Sequence, residues 1–185
     1  MQHRGQESAG IAIHNGGRIK CHKELGLLPN VFDEFTLNNL LGDIGIGHVR
    51  YSATEQNCKE NAQPIATQNI LGNIAVAHNG NIVNSNEIRM NLERKGFIFQ
   101  TTADSEVIVA LLSKEIAKAE NIEDALTEVM KTIKGAYALT IMTKDKLIAV
   151  RDPMGMRPLV LGKLNDSYVV ASETCAFDCV RSRIY

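Results

Sequence analysis

Apolar residues fall in short runs along this chain, separated by glycines and polar clusters, and the runs follow two different spacings. Near the start, Gly10-Ile11-Ala12-Ile13, the turn His14-Asn15-Gly16-Gly17 and Arg18-Ile19-Lys20 predict a β-hairpin, since Asn-Gly supplies the positive φ of a tight turn. Further strands are predicted at residues 44–51, 70–77, 136–142, 147–151, 159–162 and 168–171. The short turns between several of them favour antiparallel pairing.

In the middle of the chain the spacing becomes helical. Asn84 followed by Glu87 predicts a capping box, Ile88 and Leu92 share a face, and Gly96 ends the helix. Val107, Ile108, Leu111, Leu112 and Ile116 mark a second amphipathic helix. A third opens at Asn121, carries Ile122, Leu126, Val129, Met130 and Ile133, and stops at Lys134-Gly135. The segment after Pro29, with Val31, Phe32, Phe35 and Leu40, also reads as helical. Strands, then adjacent helices, then strands again describe an α+β domain.

With 185 residues, 44% of them hydrophobic, the chain is long enough for one domain with its own core. Its 20 Lys and Arg against 21 Asp and Glu leave no basic cluster for nucleic acid or for a membrane surface. No apolar run is long enough to cross a bilayer, and MQHRGQESAG lacks the apolar stretch of a secretory signal. Cys21, Cys58, Cys175 and Cys179 therefore read as reduced thiols in a cytoplasmic protein, with no metal site. None lies near residue 1.

Three segments carry candidate chemistry. Ala77-His78-Asn79-Gly80-Asn81 stands where an apolar strand is expected to run into a polar turn. The Asn79 amide and the Gly80 N–H would aim two donors at one point, the make-up of an oxyanion hole, or else form a plain turn. In Gly47-His48-Val49-Arg50-Tyr51, strand alternation puts Arg50 on the face of His48, ready for a carboxylate of a ligand or of the protein. Asp104 either caps the helix that follows it or accepts from a ligand ammonium. Together these groups suit an amino acid whose side chain carries a reactive carbonyl, and glutamine fits.

QHRGQESAG (2–10), GHVRYSAT (47–54), ENAQPI (60–65), AHNGN (77–81), TTADSE (101–106), RDPMGMRPLVLG (151–162) and ASETCAFD (171–178) occur in the order found in glutamine amidotransferases of the N-terminal-nucleophile type, which the chain resembles over nearly its whole length. QHRGQES, RDPMGMRPL and SETCAFD lean toward the amidophosphoribosyltransferase branch. The resemblance implies a four-layer αββα sandwich of two antiparallel sheets between helices. It implies Arg50 on the α-carboxylate of glutamine, Asp104 on its α-ammonium, Asn79 with Gly80 as the oxyanion hole, and Arg4 near the site. For Arg4 an i+3 ion pair with Glu7 is the bland alternative. It also implies hydrolysis of glutamine to glutamate by a cysteine thiolate, with the ammonia used by a phosphoribosyltransferase domain to form 5-phosphoribosylamine in purine synthesis. No cofactor is implied for this domain. The full-length family enzyme implies Mg and leaves an iron-sulfur cluster open, and it is expected to be a homo-oligomer.

The family's nucleophile is the first residue of the mature chain. Here the pattern opens part-way, at Met1-Gln2-His3-Arg4, and dissolves after Phe177-Asp178. The expectation is a domain partial at both ends, without the nucleophile strand, inactive alone and prone to associate. Loss of a nucleophile costs on the order of 10⁶ in turnover in acyl-transfer enzymes. Thr54 stands one position later than the family's threonine, and Glu55-Gln56-Asn57-Cys58 replaces a Gly/Ser-rich loop. Two other readings remain open: a dead glutamine-binding or regulatory module, and the amidotransferase domain of a hexosamine-forming synthase.

Overall fold

In the computed structural model, which describes residues 1–51, 57–70, 72–180 and 183–184, the hairpin forms as β1 (Ser8–Asn15) and β2 (Arg18–Leu25). Gly16 and Gly17, at φ +56° and +85°, make the turn. Asn15 ends the strand opposite Arg18 instead of entering the turn, because two successive positive φ values suit two glycines best. β3 (Ile44–Arg50) pairs antiparallel with the other edge of β1. Between β2 and β3 the single helix expected after Pro29 is two, α1 (Leu28–Val31) and α2 (Glu34–Asn39). Asp33 divides them, its Oδ1 accepting from Thr36 N–H at 2.7 Å as the cap of α2.

The second sheet has the order β4-β5-β6-β7, from β4 (Ile65–Asn69), β5 (Gly72–Ile82), β6 (Gly135–Met142) and β7 (Leu147–Arg151). β4 is not anticipated from the apolar spacing. β5 runs five residues past Ala77, so the expected turn at residues 78–81 is strand, with Asn79 opposite Ala138 and Gly80 opposite Tyr137.

One face of β5 (Ile74, Val76, Ile82) joins the main core with α3 (Ser85–Glu93), α4 (Asp104–Ile116) and α5 (Ile122–Thr132). The other face, Ala75 and Ala77, meets Ala12, Ile46 and Met142 in a thinner core between the two sheets. Alanines at these positions let the sheets approach closely. Asn121 caps α5 as expected, accepting from Asp124 N–H at 2.8 Å. The capping box at Asn84 does not form. Its Oδ1 accepts from Lys134 N–H and its Nδ2 donates to Thr132 O, tying α3 to the end of α5.

The layers are thus helices α3–α5, the four-stranded sheet, the three-stranded sheet, and α1 on the outer face, where the His22 ring packs 5.5 Å from Phe32. A third small sheet, β10-β8-β9, comes from β8 (Val160–Leu164), β9 (Ser167–Ala171) and β10 (Arg183–Ile184), with α6 (Cys175–Val180) between β9 and β10. It adds three short strands to the two stacked antiparallel sheets that were expected. Among the described residues no helix is long and apolar enough to cross a membrane.

Candidate active site

A cavity of about 850 Å³ opens at the end of the two stacked sheets. Its walls include Arg50 and His48 of β3, Asn79 and Gly80 of β5, Asp104 at the start of α4, Arg4 at the end of a short 3-10 helix (Gln2–Arg4), and Arg157 from a loop. β3 and β9 are edge strands, and both border it. The residues singled out from the sequence, Arg4, Arg50, Asn79, Gly80 and Asp104, therefore all meet in one place.

Strand alternation sorts them. His78 N–H donates to Gln63 Oε1 at 2.7 Å and Ile82 N–H to Asp104 Oδ2 at 3.0 Å, so the intervening Gly80 N–H points to that same edge of β5, away from β6. Asn79 shares the face of Ala77 and points between the sheets, where its Nδ2 is inaccessible and has no partner among the described residues. The chain passes so tightly here that a Cβ on Gly80 would stand 2.0 Å from Ala136 O, and Gly80 has φ +156°.

Arg50 is 3% exposed, and its Nη1 donates to Glu7 Oε2 at 3.2 Å. This partner lies 43 positions away along the chain. Arg4 does not pair with Glu7 as the i+3 spacing suggested; it pairs with Glu173, as does His3 at 2.6 Å. Those two partners hold the Glu173 carboxyl down to about 2.

Asp104 is not spent on capping its helix, whose N-cap is Ala103 with no side-chain cap bond. Its carboxylate lies 3.2 Å from His78 Nδ1, and His78 is 3% exposed and stands on the helix face of β5. Burial works to raise the Asp104 pKa, but the His78 hydrogen bond and charge and the N–H groups of Ile82 and Ser105 outweigh it and hold the carboxyl below its usual value.

Three further residues at the site lie in motifs that carry the resemblance, but the sequence reading gives them no role. Gln63 and His48 both reach the backbone of His78, His48 Nε2 donating to its carbonyl at 3.0 Å. Burial, the neighbouring His78 and the Arg50 charge bring His48 down to about 4, so it is neutral at pH 7. Arg157 brings a third guanidinium to the cavity, its Nε without a partner among the described residues. Residues 52–56, which include Thr54, Glu55 and Gln56, lie outside the described residues.

None of the four cysteines borders the cavity. Cys175 Sγ comes within reach of His3 and Glu173, all three ligand atoms lying within 4.8 Å of one another, a proximity that the cysteine spacing does not reveal. Glu173 is already engaged by Arg4, and these three groups fit neither a four-thiolate cluster nor an all-oxygen Mg site.

The glutamine amidotransferase domain family matches residues 48–179. The amidophosphoribosyltransferase of Methanocaldococcus jannaschii is 50% identical over 176 residues, 95% of this chain and 37% of that protein. That of Synechocystis sp. is 45% identical over 97% of this chain and 37% of its own length. The chain thus spans under two-fifths of these relatives.

Among solved structures, the glutamine phosphoribosylpyrophosphate amidotransferase of B. subtilis, complexed with ADP and GMP, superposes with a TM-score of 0.92 at 42% identity, covering 100% of this chain and 39% of that one. A predicted glutamine amidotransferase of Pseudomonas aeruginosa shares the fold alone, at a TM-score of 0.53 and 15% identity. These relatives favour the amidophosphoribosyltransferase branch over a hexosamine-forming one. The chain belongs to the glutamine amidotransferase domain family.

Proposed function

We propose that the cavity binds glutamine, with Arg50 on the α-carboxylate, Asp104 on the α-ammonium, and the Asn79 amide with the Gly80 N–H on the side-chain carbonyl oxygen. The observation that carries this reading is the Asn79 Nδ2, buried and unpartnered among the described residues, in a side chain that lines the cavity. A buried donor in that state costs about 1–3 kcal/mol, which an incoming oxygen recovers. It recovers more when the oxygen becomes negative. Glu7 orients the Arg50 guanidinium, whose five donors serve more than one acceptor.

Attack of a thiolate on the glutamine carboxamide pushes charge onto the oxygen held by Asn79 and Gly80. Collapse of the tetrahedral species, with a proton delivered to nitrogen, expels ammonia, and water cleaves the thioester to glutamate. Since none of the four cysteines borders the cavity, the nucleophile is assigned to a residue outside these 185. By itself the chain binds without turnover.

In the intact protein the ammonia passes to a phosphoribosyltransferase domain and forms 5-phosphoribosylamine for purine synthesis. The names of the relatives, and the share of their length that the chain matches, support this. Four free thiols suit a reducing, cytoplasmic compartment. Arg4 is proposed as a supporting residue that joins the cavity rim to Glu173.

Titration calorimetry with glutamine tests the reading. Saturable binding that weakens at least about tenfold in Arg50→Ala supports it, since hydrogen bonds to a charged group contribute roughly 1.5–3 kcal/mol. Absence of heat, or equal binding by the variant, refutes it.

A further inference from the structure

The motif ENAQPI at residues 60–65 has no part in the chemistry above, yet its side chains reach both halves of the site. Gln63 is 6% exposed and sits just before β4, opposite His78, where the backbone ladder between β4 and β5 has not yet begun. Its side-chain amide completes the ladder. Oε1 accepts from His78 N–H at 2.7 Å, and Nε2 donates to His78 O at 3.3 Å. The same carbonyl receives His48 Nε2 from the opposite sheet at 3.0 Å. The peptide groups on either side of His78, the second of which leads into Asn79, are therefore both gripped.

Two residues earlier, Asn61 is fully buried and does the same for the other half. Its Nδ2 donates to Thr102 Oγ1 at 2.9 Å, and its Oδ1 accepts from Thr102 N–H at 3.1 Å, two positions before Asp104. The segment is itself pinned to the first sheet. Lys23 Nζ donates to Ala62 O at 2.5 Å, and a Cβ at Gly10 would stand 2.2 Å from Gln63 O. One short segment thus bonds to the backbone on both the β5 side and the α4 side of the cavity.

We infer that Asn61 and Gln63 are positioning residues that set the Asn79–Gly80 donors and the Asp104 carboxylate at a fixed separation, and so determine which ligand the cavity can span. The inference rests on the reading of the cavity as a glutamine site. Gln63 acts through the His78 backbone on the carbonyl end of the ligand. Asn61 acts through Thr102 on the ammonium end.

Gln63→Glu separates positioning from packing, because the two side chains have nearly the same shape and differ in one donor. When the introduced carboxyl is protonated, its O–H donates to the His78 carbonyl and the native pairing is restored in kind. When it is ionised, the carboxylate faces that carbonyl without a donor and repels it. Glutamine affinity of Gln63→Glu is expected to fall about tenfold at pH 8 and to recover as pH drops to 5, while the unsubstituted chain changes little over that range. The ¹⁵N resonances of Gly80 and of the Asn79 side chain should follow the same titration, with those of Val129 and Leu112 in the helical core unmoved.

Asn61→Ala should weaken glutamine while leaving its des-amino analogue unaffected, because only glutamine uses Asp104. If the unsubstituted chain binds no glutamine, the reading of the site fails, yet the pH-dependent shifts at Gly80 and Asn79 still decide the inference. It is overturned if those resonances do not titrate in Gln63→Glu, or if Asn61→Ala weakens both ligands equally.

Discussion

His78 Nδ1 stands 3.2 Å from Asp104 Oδ1, on the helix face of the same strand whose next residue, Asn79, faces the opposite sheet. One strand therefore carries both ends of the candidate site, a carboxylate held on one face and an amide donor on the other. Asp104→Asn removes the charge and leaves the shape. It should lower glutamine affinity by about ten- to a hundredfold and leave the des-amino analogue unchanged. Equal loss for both ligands would mean that Asp104 serves the fold and not the ammonium.

His48 gives the chain an acid sensitivity of known sign. Its folded-state pKa of about 4 lies below the ordinary 6.5, so the unfolded chain takes up the proton first, and stability falls as pH drops from 6.5 towards 4. The groups that set it are the burial of the ring, His78 and Arg50. Urea midpoints measured from pH 7 to pH 4 should fall less steeply in His48→Gln, the difference reaching at most on the order of 3 kcal/mol. Parallel slopes would show that His48 is not the group responsible.

Glu173 acts in a lower window. Held at about 2 by Arg4 and His3, it contributes stability above 4.5 that is lost as pH falls from 4.5 to 2. In Glu173→Gln that part of the acid transition should flatten, and hydrogen exchange at Arg4 and Gly5 should quicken already at pH 7. Unchanged exchange at those amides would contradict the tie of His3 and Arg4 to Glu173.

Two glycines should prove intolerant, each for lack of space. A Cβ at Gly80 meets Ala136 O at 2.0 Å, and one at Gly10 meets Gln63 O at 2.2 Å, whereas at Gly17 there is nothing within 4 Å. Overpacking of this kind costs about 1–3 kcal/mol or more, so Gly80→Ala and Gly10→Ala should each lower the Tm by roughly 5 °C or more. Gly17→Ala carries only the strain of its positive φ and should cost about 1 kcal/mol. Thermal melts that rank Gly17→Ala worst would reverse this account.

What the sequence reveals of this fold follows a physical line. The β1–β2 hairpin, β3, β6, β7 and the cap of α5 are legible because each is decided by neighbours a few residues away. β5 is truncated in such a reading because His78-Asn79-Gly80-Asn81 looks like a turn. The partners that keep it a strand, Gln63, Asp104 and β6, come from distant parts of the chain. The capping box at Asn84 fails for the same reason, as its amide is drawn off by Thr132 and Lys134.

The site divides likewise. Arg50, Asn79, Gly80 and Asp104 stand out by chemistry in short motifs, whereas the pairing of Arg50 with Glu7, and of Arg4 with Glu173, depends on the fold. Gln63 and His48 act on backbone, and nothing in their residue type announces that.

The most direct test of the account is the amide spectrum of Asn79 and Gly80 in ¹⁵N-labelled protein as glutamine is added. The account predicts saturable shifts of the Asn79 side-chain amide and of the Gly80 N–H, weaker with glutamate, and absent in Arg50→Ala at the same concentrations. Saturable shifts elsewhere with none at these two groups, or no shifts at all, would contradict it.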